Sequence, residues 1–152
     1  MNRFLGLIIF LSVVLFSCGG PSTEDQLLGS WYFSFEDPNA LDGQVTQVET
    51  FYNFNSDGTV LSASAIFSEE MKSDTRVEGV IVTGKWSLSD DDKKIIVTMD
   101  KNSAYKPEAE ETSIESISSS ELCLGVIENA SNVPYDKLCA SKISDEEFYN
   151  LT

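Results

Sequence analysis

The chain has 152 residues, 10 Lys and Arg against 25 Asp and Glu, and no His. This length fits one globular domain, and a formal charge of -15 excludes a basic groove that would bind a nucleic-acid backbone. The absence of His removes the usual general base, the usual partner of a Ser or Cys nucleophile and the commonest transition-metal ligand.

The N-terminus is typical of a secretory signal. Arg3 precedes an apolar run at residues 4–16, and the small residue Ser17 follows. The run is shorter than the roughly 20 residues that a membrane-spanning helix needs, and Gly19 and Gly20 come shortly after it. A transmembrane anchor is therefore the weaker interpretation.

Residues 15–18, with the sequence Leu-Phe-Ser-Cys, resemble the lipobox of bacterial lipoproteins. The resemblance implies that residues 1–17 are a signal peptide, that cleavage falls before Cys18, and that the Cys18 sulfur carries a diacylglycerol. Residues 18–26 would then be the lipidated cysteine and a flexible tether, and residues 27–152 a single domain. The membrane is thus the expected partner of this end of the chain.

The two residues after the lipobox bear on location. Gly19 and Gly20 stand where an inner-membrane retention signal would carry Asp, so the resemblance favours the bacterial outer membrane. It leaves open whether the periplasmic or the cell-surface face carries the protein. The alternative is an ordinary signal peptide in which Cys18 is incidental.

Alternating apolar residues predict the first strands. Trp31, Phe33 and Phe35 alternate with Tyr32 and Ser34, a pattern typical of a strand with one buried face. A second strand is predicted over residues 45–55, with Val48, Thr50, Tyr52 and Phe54 on one face. Strong turn chemistry follows at residues 55–58, and residues 59–67 are predicted to return as the paired strand of a hairpin.

The rest of the chain continues in short apolar segments. Further strands are predicted at residues 76–88, 94–99, 112–118, 121–128 and 138–143. Residues 102–111 are interpreted as a solvated loop, because they hold Pro107 and three Glu. At the C-terminus, Ser144 and Glu147 match a capping box, so a last helical turn with Phe148 folded onto the body is expected.

The number and spacing of these strands predict the fold. About eight short strands without a long amphipathic helix favour an all-β, antiparallel up-and-down eight-stranded barrel, with a β-sandwich as the alternative. Leu28-Gly29-Ser30-Trp31, the turn at residues 54–59 and Gly84-Lys85-Trp86 look like the bacterial lipocalin-like lipoproteins of the broader calycin-like group. The resemblance implies that Trp31 closes the barrel floor. The chain has no Thr-Asp-Tyr-like triplet and no late Arg that would pack over Trp31.

Two cysteines remain once Cys18 is assigned to the lipid. Cys123 and Cys139 flank a turn-prone stretch between strand-like segments, so a hairpin would place them opposite each other. In an exported chain a disulfide persists, and we expect these two residues to form one. A reactive thiol pair or a metal site is the weaker alternative, because the spacing is not CxxC and no His completes a zinc shell.

Catalytic and metal motifs are missing from the sequence. It has no GxSxG elbow, no phosphate-binding GxxxxGK[ST] and no dinucleotide-binding GxGxxG. Asn53, Asn55, Asp57 and Gly58 imitate the start of an EF-hand loop, but its twelfth position is Ser64 and supplies no bidentate carboxylate. Asp90, Asp91 and Asp92 are better explained as a solvated turn. We therefore expect no enzyme activity, no metal and no cofactor.

The sequence favours a binding function within a barrel. The expected contacts of a small apolar or amphipathic ligand are Trp31, Tyr52, Phe54, Val82 and Trp86, assigned by strand alternation alone. Ordinary filling of the barrel by these side chains is the alternative, although the small residues 62–65 leave room inside. A second hypothesis is an adaptor that binds an envelope protein through acidic loops. A hydrolase with a carboxylate pair ranks last.

Overall fold

The computed structural model describes residues 20–41, 44–68, 81–101, 109–125 and 136–151. Several sequence predictions lie outside this part of the chain. They are the signal peptide at residues 1–17, the lipidation site Cys18, the first residues of the strand predicted from 76, most of the loop predicted at 102–111, and the turn predicted between the two cysteines.

Eight strands form one antiparallel sheet that closes on itself. Each strand pairs with its neighbours in chain order, and β8 pairs with β1. The strands are β1 (Gly29–Leu41), β2 (Gln44–Phe54), β3 (Thr59–Ser68), β4 (Val82–Leu88), β5 (Lys94–Met99), β6 (Ala109–Ile117), β7 (Glu121–Gly125) and β8 (Lys137–Ile143). The predicted up-and-down barrel is confirmed, and a β-sandwich is excluded because all eight strands belong to one closed sheet.

The predicted hairpin between β2 and β3 forms at residues 55–58. The Gly58 amide donates to the Asn55 carbonyl, and Gly58 has a φ of 79°, a left-handed conformation that glycine adopts without strain. The Asp57 carboxylate accepts from the Thr59 amide and from the Thr59 hydroxyl. This local chemistry fixes the register in which Phe54 faces Val60.

A short helix, α1 (Thr23–Leu27), covers the barrel end at which β1 begins. Ser22 caps it: its hydroxyl accepts from the Asp25 amide, and the Asp25 carboxylate accepts from the Ser22 amide. Leu27 is fully buried. The segment predicted as a flexible tether therefore contains a helix, because a capping box with Asp in place of Glu or Gln starts it. We call this covered end the floor and the opposite end the far end.

A second helix, α2 (Asp145–Leu151), packs on the outside of the barrel. Ser144 and Glu147 form the predicted capping box, and Phe148 is fully buried against Phe51 and Ala63. Phe51 and Ala63 are register partners on the outer face of β2 and β3. The outer face thus carries a small apolar core of its own, separate from the barrel interior.

Two strands are longer than predicted. β1 continues to Leu41 through Pro38, and the β1–β2 register shifts between Asp37 and Leu41, as expected where a strand tolerates a proline. β6 begins at Ala109, inside the predicted loop. Glu111 lies on the solvated outer face, where its register partner is Ile96 and its Oε2 is 3.1 Å from the Nζ of Lys94 on β5.

Candidate ligand-binding interior

The floor of the barrel is an apolar layer. Cross-strand register partners lie on the same face of a sheet, so the register assigns each inward side chain. Most inward residues at this end have at most 7% of their surface exposed: they are Trp31, Phe54, Val60, Trp86, Ile95 and Leu122, and Leu27 of α1 packs with them. Leu88 and Ile117 also face inward here and are half-buried.

Trp31 is held in the floor by two polar contacts. Its indole Nε1 donates to the Leu27 carbonyl of α1 at 2.7 Å. On the α1 side, the Lys142 ammonium lies 5.0 Å from the centre of the Trp31 ring and donates to the Gln26 carbonyl at 3.1 Å. Sequence reasoning looked for an arginine over Trp31 and missed Lys142, which β8 places beside it.

Burial lowers the pKa of Lys142. Loss of water around the Lys142 ammonium lowers its pKa from the ordinary value of 10.5, and the nearby Asp145 carboxylate opposes the change. Asp145 in turn accepts from Ser30 and Asn53, two buried polar side chains on the outer face. The floor and the start of α2 are thereby connected through charge and hydrogen bonds.

All five residues predicted as ligand contacts face the interior. Three of them belong to the floor: Trp31, Phe54 and Trp86 are buried, the last two with their ring centres 5.4 Å apart. The Trp86 indole donates to the Asn55 carbonyl. Tyr52 stacks on Phe54 at 5.8 Å and is half-buried, and Val82 is buried opposite Ser62. Most of the predicted contacts thus fill the floor.

Beyond the floor the inward side chains differ in burial: Phe33, Ser62 and Val82 are buried, whereas others are half-buried. We call the following half-buried inward residues the upper interior: Phe35, Val48, Thr50, Ser64, Val97, Met99, Ile114, Leu124 and Leu138. Protein cores are packed closely enough that inward residues of a filled barrel would be buried like those of the floor. These side chains keep part of their surface accessible, although Val97, Met99, Ile114, Leu124 and Leu138 also pack against the buried core.

Sequence reasoning placed only part of the upper interior on one face. Val48 and Thr50 follow from the alternation of β2, but the inward residues of β6, β7 and β8 were missed. Those strands are short, and the β6–β7 register shifts between Ile114 and Ser116, which interrupts the alternation. The pairing of the two cysteines could have identified these inward residues, because it places Leu122, Leu124 and Leu138 on the face opposite the cysteines.

The cysteine pair lies across β7 and β8 as predicted. Cys123 and Cys139 are direct register partners, with Cα atoms 4.0 Å apart, and lie at disulfide distance. Their neighbours Leu122 and Ala140 face inward, so the sulfurs lie on the outer face. The bridge therefore holds the two strands together without entering the interior.

The acidic turns are explained by their own hydrogen bonds. Two hydrogen bonds from Thr59 lower the pKa of Asp57, and bonds from Ser89 and Lys93 lower the pKa of Asp91. A polar cavity of about 340 Å³ lies at the floor beside α1, lined in part by Glu24, Asp90 and Asp92. Across the described residues, no group of three or more Cys, Asp or Glu is placed to hold a metal ion.

The comparisons with known proteins give no family. The sequence matches no protein-family model, and no curated protein matches it. Within the described part of the chain, no helix has the length and apolar character that crossing a membrane would require. The closed eight-stranded barrel is consistent with a lipocalin-like fold.

Proposed function

We propose that this protein is a lipid-anchored protein of the bacterial cell envelope whose barrel binds a small apolar or amphipathic molecule. The observation that carries the binding function is the contrast within one interior. The floor side chains are buried, whereas the nine residues of the upper interior keep accessible surface. A closed eight-stranded barrel is wide enough either for side chains alone or for one small ligand, and accessible surface on inward apolar side chains favours the ligand.

The envelope location is supported by the sequence. The lipobox-like residues 15–18 imply a lipid on Cys18, and the paired cysteines suit an oxidising compartment. Acyl chains buried in a leaflet contribute about 0.8 kcal/mol per CH₂ group, so several chains would hold the domain at the membrane. Mass spectrometry of the protein extracted from membranes tests this assignment. A mature mass that Cys18→Ser changes only by the exchange of sulfur for oxygen, or that blocked lipoprotein processing leaves unchanged, contradicts it.

The adaptor hypothesis has less support on the described surface. An adaptor needs an exposed apolar patch or a comparable docking surface. Among the described residues, the large apolar side chains with high exposure are Ile81 and Tyr149, at 48% and 63%. Two such residues are ordinary for a soluble surface.

Native mass spectrometry tests the binding function directly. The chain from residue 18, which contains the whole barrel, is exported with Cys18→Ser, and molecules released by organic extraction are identified by mass. We expect a discrete small molecule to co-purify. Ser64→Phe, which fills the upper interior, should lower its occupancy at least tenfold, whereas Ser141→Phe adds the same volume to the exposed outer face and should leave occupancy unchanged. An empty barrel that also binds nothing from added lipid extracts would overturn the proposal.

A further inference from the structure

The chemistry of the upper interior restricts the kind of molecule that fits it. On β5 to β8 the inward face is mostly apolar, with Val97, Met99, Ile114, Leu124 and Leu138, and Thr112 of β6 adds a half-buried inward hydroxyl. The hydroxyl groups that bond to each other lie on the other side, on β2 and β3. The interior is therefore two-sided, with one mostly apolar wall and one wall that carries a pair of hydroxyl groups.

The polar wall centres on Thr50 and Ser64. The two residues are direct register partners, their hydroxyl oxygens are 3.2 Å apart, and both side chains are half-buried. Only one of the two hydroxyl hydrogens is used in the bond between them, so the pair keeps one donor and several acceptor positions. Ser62, two residues along β3, adds another small hydroxyl on the same face.

Full charges are scarce on the described inward face. The register places three charged residues there, Lys142, Glu110 and Asp37. Lys142 lies on the α1 side of the fully buried Trp31 and is bonded to Gln26, so the floor separates it from the upper interior. Glu110 is exposed towards the far end, opposite Val97, and would repel an anion. A buried ligand charge without a partner is costly, and the net charge of -15 adds to the cost for an anion.

We propose that the barrel selects uncharged amphipathic molecules. The ligand would carry a hydroxyl or carbonyl group that hydrogen-bonds to Thr50 and Ser64, and an apolar chain or ring that lies against β5 to β8. A fatty alcohol or an acylglycerol has this chemistry, whereas a fatty acid is ionised at neutral pH and does not. The inference rests on the proposed binding function and names its ligand class.

Displacement of a fluorescent hydrocarbon tests the selection. Diphenylhexatriene, which has no hydrogen-bonding group, is bound to the chain from residue 18 carrying Cys18→Ser at pH 7.5. It is then displaced by dodecanol or by dodecanoate below their aggregation concentrations. We expect dodecanol to displace the probe at a concentration at least tenfold lower than dodecanoate, and methyl dodecanoate to behave like dodecanol.

A double variant tests the role of the hydroxyl pair. Thr50→Val with Ser64→Ala keeps the size of the wall but removes both hydroxyls. We expect this variant to lower the affinity for dodecanol about tenfold and to change the affinity for diphenylhexatriene less than twofold. Ser141→Ala, which removes a hydroxyl from the exposed outer face, is the matched control and should change neither.

The outcomes separate the two proposals. If diphenylhexatriene does not bind and no lipid binds by mass spectrometry, the binding function itself fails. If the probe binds but dodecanoate displaces it as well as dodecanol does, the binding function stands and the selection for uncharged ligands is wrong. If the double variant prefers dodecanol over dodecanoate as strongly as the wild type does, Thr50 and Ser64 do not recognise the polar group.

Discussion

The ammonium group of Lys142 lies 5.0 Å from the centre of the Trp31 ring, and both residues are tied to α1. Trp31 donates to the Leu27 carbonyl and Lys142 to the Gln26 carbonyl. The aliphatic part of Lys142 also lies next to Gly29, where an added Cβ would come within 3.2 Å of the lysine Cε. One lysine thus joins the first strand, the last strand and the helix that covers the floor.

Truncation of Lys142 should therefore destabilise the floor. Lys142→Ala removes the hydrogen bond to Gln26, the ammonium over Trp31 and the aliphatic stem beside Gly29, and we expect it to lower the free energy of unfolding by about 1–2 kcal/mol. Lys142→Met keeps the stem and should cost less than half as much. Chemical denaturation of the three proteins measures this. Equal losses for Ala and Met would show that the stem does not contribute.

The stability of the protein should also depend on the protonation of Lys142. Burial lowers its pKa, so in the window just below 10.5 the unfolded chain holds more protons than the folded one. The free energy of unfolding therefore rises with pH through that window. At lower pH both states carry the proton, and the full cost of burying the charge lowers the stability of the folded protein. The wild type should gain stability relative to Lys142→Met as the pH rises towards 10.5. Parallel curves would contradict the lowered pKa.

The sequence predicts most of the barrel because strand patterns are local. The turn at residues 55–58 sets the β2–β3 register, and alternation then assigns Tyr52 and Phe54 to the interior. The start of β6 could not be predicted in this way. Glu110 and Glu111 read as loop residues by composition, and only the pairing of β6 with β5 makes them part of a strand.

The candidate site was harder to predict than the fold. Alternation says which side chains face inward, but not how far along the barrel the packing is complete. The prediction that Trp31 and Trp86 contact a ligand rests on this alternation alone, and the structure places both residues in the buried floor layer beside α1. Lys142 was missed for the same reason, because its place in the floor depends on a hydrogen bond to Gln26 of α1, which is 116 residues away in the sequence.

Loss of the cysteine pair should destabilise the protein without affecting ligand binding. A bridge between residues 16 apart closes a loop for which the chain-entropy estimate is about 3 kcal/mol. We expect Cys123→Ser with Cys139→Ser to lower the free energy of unfolding by about that amount, and reduction of the wild type to do the same. Diphenylhexatriene affinity at a temperature where both proteins are folded should be unchanged, because the sulfurs lie outside. Two free thiols in the denatured, non-reduced wild type would contradict the pairing.

Two glycines should respond differently to substitution. At Gly84 an added Cβ would lie 2.6 Å from the Thr98 carbonyl oxygen of the neighbouring strand, so Gly84→Ala should cost about 1–3 kcal/mol. At Gly58 the nearest atom is 3.6 Å away, and the cost of Gly58→Ala, roughly 1–2 kcal/mol, comes from its positive φ.

Substitution by Asn separates these two causes. Asn adopts positive φ more readily than Ala, so Gly58→Asn should be more stable than Gly58→Ala, and Gly84→Asn less stable than Gly84→Ala. Thermal unfolding of the four variants gives the order. The same order at both positions would show that one of the two explanations is wrong.

The attachment of α2 should depend on one aromatic side chain. Phe148 is fully buried, with its ring centre 6.5 Å from that of Phe51, whereas its neighbour Tyr149 is 63% exposed. Phe148→Ala should lower the free energy of unfolding by about 3–5 kcal/mol, the usual cost of deleting a buried Phe ring, and Tyr149→Ala should change it by less than about 0.5 kcal/mol. Hydrogen exchange of the α2 amides should increase in the first variant only. Because Phe148 packs on the outer face, probe binding inside the folded barrel should survive, and its loss would mean that α2 also shapes the interior.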